Sequence, residues 1–356
     1  MPGGSRPSAS HGGRAADRAA PGVPGSRPRR RRRPRWVRIL KWAGVSYIVW
    51  LAMLMLYAAV TLPKTEALPP NPIGDTGGAV WLLVGSDSRE GLTPAQQREL
   101  RTGGELGERT DTIMLVHMGL TDGPTLVSVP RDSWVTIPEH TTSSGQVVPA
   151  RPGKINSAYA FGGPQLLTRT IEQNTGLHVD HYMEIGLGGI VTLTDAVGGI
   201  DVCFDKPIND EKSGLDVPAG CQTLDGRDSL AWVRMRYSDP KGDLGRVERQ
   251  QQYVASVADK LLSWQTLVSP IRQWRLVKAV NGSVEVDQDA GIFSLGRFGI
   301  GMGRIATGGG EVTTVPVSDS DHWEAGQWVL KWDQSEANQL FASLGGTTPP
   351  VQAGAG

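Results

Sequence analysis

A run of 21 residues without a charge, from Trp42 to Leu62, constrains this chain more than any other feature. At about 1.5 Å per residue, a helix of that length spans the roughly 30 Å hydrocarbon core of a bilayer. A cleaved signal peptide is the alternative, but the run is longer than a usual signal sequence and the segment Thr61-Leu-Pro-Lys64 is a poor cleavage site. We therefore predict a retained transmembrane helix over residues 36–62.

Charge is divided sharply along the chain. Residues 1–41 carry twelve Arg or Lys against one acid, whereas the remaining residues carry 24 bases and 35 acids. The run Arg29 to Arg33 on its own would suit a nucleic-acid patch or a localisation signal. Because it precedes the apolar run, it instead predicts a cytoplasmic flank, with the body of the chain outside the cytoplasm. An acidic body is a poor candidate for nucleic-acid binding, and no nucleic-acid partner is expected.

Composition divides the chain further. Residues 1–35 are poor in core-forming side chains and are predicted to be a disordered basic cytoplasmic tail. The Pro/Gly-rich residues 63–78 are predicted to be a stalk, and residues 345–356 a disordered tail. The folded body then extends over residues 79–344.

The two cysteines, Cys203 and Cys221, lie inside this body. Two cysteines in an oxidising compartment predict one disulfide, and they would supply only half of the ligands of a zinc site.

Apolar runs and turn signals predict an α/β body. Ala79–Gly85 has the pattern of a buried strand, and Thr112–Met118 with Thr125–Val129 that of an antiparallel pair. Each of these three predicted strands carries an Arg/Asp cluster at one end: Asp87 with Arg89, Arg109 with Asp111, and Arg131 with Asp132. Strand ends are the usual ligand sites of open α/β sheets.

A second basic cluster lies in the segment from Trp232 to Gln252. If the backbone is extended there, Arg234 and Arg236 point to one side. After a turn, Asp243 has the character of an N-cap, and one helical face then carries Arg246, Arg249 and Gln250. Converging guanidinium groups suit a phosphate ligand, which they grip through two oxygens. A solvated helix face is the alternative, and the spacing alone leaves it open.

Arg and Asp are thus the residue types available for chemistry. Clustered carboxylates among basic groups suit Mg²⁺, which prefers oxygen ligands and often bridges to a substrate phosphate. Phosphoryl transfer needs mainly positioning and neutralisation of charge, which such a set can supply. The sequence contains no G-x-S-x-G, H-E-x-x-H or Walker-type loop.

Taken together, the clusters resemble the LytR-CpsA-Psr family, phosphotransferases that attach glycopolymers to the wall of Gram-positive bacteria and actinobacteria. The resemblance covers about residues 79–265, and residues 266–344 are expected to complete the same body. The motifs that carry it are Gly85-Ser-Asp-Ser-Arg89, Arg109-Thr-Asp-Thr112, Val129-Pro-Arg-Asp132, Lys154-Ile-Asn156, Val233-Arg-Met-Arg236 and Asp243-Leu-Gly-Arg246-Val-Glu-Arg249-Gln250.

The resemblance implies an α-β-α sandwich with a mixed central sheet, which holds a polyprenyl pyrophosphate with its tail in an apolar tunnel. It implies that Asp87 and Asp111 hold Mg²⁺ or Mn²⁺. The implied catalytic set is Asp87, Arg109, Asp111, Arg131, Arg234 and Arg236. Pyrophosphate contacts are expected from Arg109, Arg131, Arg234, Arg236, Arg246, Arg249, Gln250, Lys154 and Asn156.

The expected reaction moves a glycopolymer from a polyprenyl-pyrophosphate carrier to a muramyl hydroxyl of peptidoglycan, at the cytoplasmic membrane. The basic head and the high Gly and Ala content look actinobacterial, which suggests arabinogalactan as the glycopolymer. Two alternatives use the same site: a pyrophosphatase with water as acceptor, and a membrane-bound regulator that binds lipid or glycan without turnover.

Overall fold

A computed structural model of the protein describes residues 35–88, 97, 110–119, 123–142, 144–235 and 242–347. The chain divides into two compact units between Ile48 and Val49. The two tails that the composition predicts to be disordered fall almost wholly outside the described residues. So do Arg89, Arg109 and Arg236, and the structure therefore gives them no position.

The helices within the described residues begin with a long apolar one. Helix α1 runs from Arg35 to Thr61, and its segment Trp36–Thr61 is long and apolar enough to cross a membrane. This agrees with the helix predicted over residues 36–62. The others are α2 (Ile155–Thr175), α3 (Leu187–Val197), α4 (Gly226–Arg234), α5 (Gly242–Leu262), α6 (Trp264–Leu267), α7 (Pro270–Asn281), α8 (Ile292–Ala306) and α9 (Gln334–Ser343).

A central sheet of seven strands organises the body. Its strands are β1 (Lys64–Thr65), β2 (Ala79–Ser86), β3 (Thr110–Met118), β4 (Pro124–Ser128), β9 (His181–Ile185), β14 (Val284–Asp287) and β15 (Glu311–Thr314). Their order is β1-β14-β9-β2-β3-β4-β15. The pairs β1–β14, β2–β9 and β4–β15 are parallel and the others antiparallel, so the sheet is mixed, as expected.

Shorter strands pair outside the central sheet. They are β5 (Trp134–Ile137) with β8 (Arg151–Lys154), β6 (His140–Thr141) with β7 (Val147–Val148), β10 (Ile200–Phe204) with β13 (Gly220–Leu224), β11 (Ile208–Asp210) with β12 (Leu215–Val217), and β16 (Val317–Glu324) with β17 (Gln327–Trp332). In the β10–β13 pair Cys203 lies opposite Cys221, and a disulfide joins them.

Both faces of the central sheet are covered, which explains why β2 is apolar at nearly every position. Val80, Leu82 and Val84 face a core shared with α2 and α9, whereas Trp81 faces a core shared with α5 and α8. Successive side chains of a strand point to opposite faces, so a strand buried on both sides needs apolar residues throughout. The α-β-α sandwich is thereby confirmed.

Helix α2 contains a break at two glycines. Gly162 and Gly163 leave helical geometry, and Gly163 has φ of 63°, a backbone conformation that glycine adopts without strain. Pro164 then opens the second segment, where its missing N–H costs nothing. The second segment ends at Gly176, whose left-handed conformation closes the helix.

The segment over residues 63–78, predicted as a free stalk, lies against the body instead. Lys64 and Thr65 pair in parallel with Val286 and Asp287, and Ala67 is buried in the main core. The ammonium of Lys64 donates to the carbonyl oxygens of Asp287, at 3.1 Å, and Ala290. A Pro/Gly-rich composition indicates irregular backbone, and it does not distinguish a free linker from a segment fixed by such backbone pairs.

Candidate active site at the end of the central strands

The end of β2 and the start of β3 bring two carboxyl groups together. Gly85 pairs with Thr112 and Ser86 with Thr110, so Asp111 is an extra residue that has no residue opposite it. Such a bulge redirects a side chain, and bulges are common beside active sites. A Cβ atom on Gly85 would lie 2.9 Å from the Thr112 side chain, so this close pairing requires glycine. Asp87 and Asp111 are hydrogen-bonded to each other.

Arg131 forms an ion pair with one member of this carboxyl pair. It follows β4, and its guanidinium forms an ion pair with Asp111 and a second, at 3.4 Å, with Asp132. The ammonium of Lys154 lies 2.7 Å from the other oxygen of Asp132. The backbone amide of Asn156 donates to the backbone carbonyl of Arg131 at 3.2 Å, and this bond connects the start of α2 to the loop. The structure thus joins four of the predicted motifs in one network.

Two further arginines of the predicted pyrophosphate-contact set act on the pKa values of the same carboxyl groups. The positive charge of Arg234, the last residue of α4, offsets part of the rise in the pKa of Asp87 that burial causes. The positive charge of Arg246, in the second turn of α5, lowers the pKa of Asp111. Arg246 is buried although it is charged. Buried charges persist in proteins when opposite charges compensate them, as the carboxylates do here.

The two carboxyl groups differ in their pKa values. Burial, followed by the negative charge of Asp111, raises the pKa of Asp87 to about 6. Burial also acts to raise the pKa of Asp111, but Arg131 and then Arg246 outweigh it and hold that pKa below its ordinary value. Below about pH 6 Asp87 therefore carries a proton, which it donates to Asp111.

This pair meets the requirements of a divalent cation. Mg²⁺ is commonly bound through one or two carboxylates, with water and substrate phosphate completing the octahedron. A cation would replace the proton that the pair otherwise shares. Within the described residues there is no group of three or more His, Cys, Asp or Glu side chains, so the protein alone offers no closed metal cage there.

The segment around Arg234 differs from the extended geometry considered above. Residues Gly226–Arg234 form a helix, capped at its start by Asp225, whose carboxylate accepts from the amide of Asp228. The extended backbone considered above is therefore not found at Arg234, because Asp225 caps a helix that the sequence reasoning did not consider. Asp243 likewise lies within the first turn of α5 rather than before it.

Arg249 makes contacts that the sequence did not indicate. Its buried guanidinium donates to the carbonyl oxygens of Trp232, at 3.1 Å, and Met235, the last turn and the C-cap of α4. The Trp232 carbonyl also accepts from the backbone amide of Met235 at 3.3 Å, and a cation at this end suits the helix dipole. Arg249 thus fixes Arg234 relative to α5, and a pyrophosphate contact from Arg249 or Gln250 stays a prediction.

A buried carboxylate near the site escaped the sequence reasoning. Glu184, on β9, accepts from the hydroxyl of Tyr159 at 2.8 Å and from that of Tyr182 at 2.6 Å. Tyr159 belongs to α2, so this contact holds that helix against the sheet. The available signal was a Glu in alternation with Tyr182 in the middle of a predicted strand.

Comparisons with known proteins agree with this geometry. A model of the LytR_cpsA_psr family matches residues 61–345, beyond the range that the motifs alone indicated. The probable cell wall biosynthesis protein LcpB of Corynebacterium glutamicum is 39% identical over 305 residues, which cover 85% of this chain and 70% of LcpB.

Two further proteins extend the comparison. The polyisoprenyl-teichoic acid–peptidoglycan teichoic acid transferase TagU of Enterococcus faecalis is 36% identical over 180 residues, half of this chain and 55% of TagU. The solved structure of a LytR-Csp2A-Psr enzyme from Actinomyces oris shares the fold, with a TM-score of 0.58 at 22% identity over 80% of this chain and 96% of that one. The family match over most of the chain, with the motifs assembled in one place, shows that this protein belongs to the LytR-CpsA-Psr family.

Proposed function

We propose that this protein is a membrane-anchored phosphotransferase that moves a glycopolymer from a polyprenyl-pyrophosphate carrier to peptidoglycan. The observation that carries the proposal is the hydrogen-bonded pair of Asp87 and Asp111 surrounded by the positive charges of Arg131, Arg234 and Arg246. Two acids inside an anion site repel a pyrophosphate unless a cation lies between them. The relative TagU, whose name states a transfer from a polyisoprenyl carrier to peptidoglycan, supports the same reaction class.

The chemistry is a displacement at phosphorus. A hydroxyl oxygen of the acceptor forms a bond to the phosphorus that carries the glycan, and the bond from that phosphorus to the bridging oxygen breaks. Polyprenyl phosphate leaves with the bonding electrons, and the hydroxyl proton passes to a base. Arg131, Arg234 and Arg246 are placed to neutralise the charge that develops on the phosphate oxygens.

Asp87 and Asp111 would hold Mg²⁺ or Mn²⁺, which supplies charge neutralisation on the pyrophosphate when bound. The protein's own part is to keep the two carboxyl groups in place. Arg131 does this by its ion pair with Asp111, and Lys154 by its ion pair with Asp132, the neighbour of Arg131. Removal of Lys154 would loosen the loop that positions Arg131, and removal of Arg131 would leave Asp111 without this ion pair.

The proposed setting is a cell membrane, with the N-terminus in the cytoplasm and the catalytic body outside. Helix α1 has the length for one crossing, the basic residues precede it, and the Cys203–Cys221 disulfide suits an oxidising compartment. The similarity to LcpB of a corynebacterium supports an actinobacterial wall, for which we propose arabinogalactan as the glycopolymer.

The test uses the purified full-length chain with a short oligosaccharide on a polyprenyl pyrophosphate, a peptidoglycan fragment and Mg²⁺. We expect oligosaccharide phosphate on the fragment, and loss of that product for Asp111→Ala. The matched control is Asp201→Ala, which removes an ion pair with Lys260 at an exposed carboxylate of β10 that belongs to none of the site motifs. We expect this control to leave turnover unchanged. Release of oligosaccharide phosphate to water, with the fragment unmodified, would make the protein a pyrophosphatase. Binding without any product would make it a regulator.

A further inference from the structure

The turn between α5 and α7 exposes large apolar side chains. Trp264 is 71% exposed, Leu267 51%, Val268 60% and Ile271 67%, and we call these four residues the corner surface. All four lie within eight residues of sequence at this one turn. Monomeric soluble proteins rarely expose an apolar patch of this kind unless it binds something. Helix α6, to which the first two belong, buries Thr266 but none of its apolar side chains.

Contacts along α1 show where the corner surface lies. The indole Nε1 of Trp50 donates to the side-chain oxygen of Gln273 at 2.9 Å. The ring centroids of Tyr57 and Trp274 are 5.0 Å apart. Near the ends of the two helices, the Asn281 amide donates to the hydroxyl of Thr61. Residue numbers rise together along both helices, so α7 runs parallel to the last part of α1.

Depth follows from this alignment. Trp50 lies about 16 Å along the helix axis from Thr61, at about 1.5 Å per residue. Gln273 contacts Trp50 and the next residue, Trp274, contacts Tyr57, so the corner surface before them lies beside this part of α1 and not at its end. The side of α1 that α7 leaves uncovered is apolar there, since Met53, Leu56 and Val60 are exposed. Such a surface is stable in lipid and unfavourable in water.

The charges of α7 suit a lipid surface as well. Arg272, Arg275 and Lys278 are exposed and recur every three residues, on one side of the helix. Lys278 lies in the last turn of α7, near the level of Thr61 at the end of α1, where a basic group meets lipid phosphates. Its long stem lets the ammonium reach the headgroups from an apolar position, whereas Arg272 donates to the side-chain oxygen of Gln265 at 2.8 Å.

We propose that the corner surface inserts into the outer leaflet of the membrane beside α1, giving the body a second membrane contact. The proposal rests on the proposed anchoring by α1. With a single crossing helix, the protein as a whole is free to tilt in the membrane. A second contact through Trp264, Leu267, Val268 and Ile271 fixes its orientation, and so fixes the direction from which a membrane-bound carrier reaches the site.

The test is depth-dependent quenching on the full-length chain in vesicles of phosphatidylcholine and phosphatidylglycerol. Val268→Cys and Ile271→Cys are each labelled with an environment-sensitive fluorophore, without reductant, so that the disulfide-bonded Cys203 and Cys221 stay unlabelled. Met53→Cys reports the anchor, and Val147→Cys, at a 58% exposed position on β7, reports a water-exposed site. Quenchers are doxyl-labelled lipid and aqueous iodide.

We expect the labels at 268 and 271 to follow Met53→Cys, with strong quenching by the lipid and several-fold less quenching by iodide than Val147→Cys. Iodide quenching at both corner positions, with Met53→Cys still quenched by lipid, would overturn the insertion and leave the anchor intact. Iodide quenching of Met53→Cys as well would overturn the anchoring itself. Labels at 268 and 271 that neither quencher reaches would mean that protein covers the corner surface, and would also overturn the proposal.

Discussion

Replacement of Asp87 by Asn tests the carboxyl pair through stability alone. The pKa of Asp87 is about 6 in the folded protein, against an ordinary value of 3.8. At 1.36 kcal/mol per pKa unit this difference has a ceiling of about 3 kcal/mol. Because the group is partly exposed and screened by solvent, we expect about 1–2 kcal/mol.

The sign follows from proton linkage. A raised pKa means that the folded state binds the proton more tightly than the unfolded state does. Ionised Asp87 therefore lowers the free energy of unfolding fully above about pH 6, and the effect vanishes below about pH 4. Asp87→Asn removes the charge and keeps a side chain of similar shape, so it should stabilise the metal-free protein near pH 7.5 and leave it unchanged near pH 4.

The assay is thermal unfolding of the full-length chain in detergent with a chelator. The expected rise in Tm for Asp87→Asn near pH 7.5 is roughly 2–4 °C per kcal/mol for a domain of this size. The matched control is Asp132→Asn, which loses ion pairs with Lys154 and Arg131 and should lower the Tm. A lower Tm for Asp87→Asn at pH 7.5 would show that Arg131 and Arg234 outweigh burial and repulsion, and would refute the reasoning.

The same samples test the metal. Millimolar Mg²⁺ should raise the Tm of the wild-type protein, because a ligand that binds only the folded state stabilises it by mass action. It should leave Asp87→Asn almost unchanged. Equal Tm shifts in the two proteins would place any Mg²⁺ effect away from Asp87, and full turnover of the wild type in chelator would remove the metal from the proposed function.

Three further outcomes follow from the contacts of single residues. Arg234→Ala should lower kcat/KM about 10- to 150-fold, since a charge-assisted contact to phosphate contributes about 1.5–3 kcal/mol. The Tm should change little. Loss of folding with intact specific activity would show that Arg234 has a structural role instead. Arg249→Met should instead lower the free energy of unfolding by about 2–4 kcal/mol, measured by chemical denaturation, because buried carbonyls of α4 lose their donor; a change in KM alone would contradict this role. Cys203→Ser with Cys221→Ser should cost about 3 kcal/mol, and thiol reagents should not label either cysteine in intact, unreduced cells; labelling of both would place them outside an oxidising compartment.

Sequence patterns predicted the features that depend on local chemistry. The apolar run of α1 and the doubly buried β2 follow from hydrophobicity, and the structure agrees with both. Asp87 after β2, Asp111 in β3 and Arg131 after β4 also converge, because adjacent strands bring those ends together.

The features that the sequence did not predict depend on contacts between distant residues. Arg249 looked like a ligand group on a helical face, but its partners are carbonyls of α4, more than a dozen residues away. The segment 63–78 looked like a linker, but β14, over 200 residues later, pairs with it. Glu184 is explained only by the two tyrosines that surround it.

The most direct measurement of the proposed reaction follows the oxygen atoms. The purified chain acts on an oligosaccharide-linked polyprenyl pyrophosphate and a peptidoglycan fragment in water enriched in ¹⁸O, and mass spectrometry weighs both products. We expect oligosaccharide phosphate joined to the fragment without ¹⁸O, in equal amount to the polyprenyl phosphate released. Free oligosaccharide phosphate that carries ¹⁸O, with an unmodified fragment, would contradict transfer and assign hydrolysis to this site.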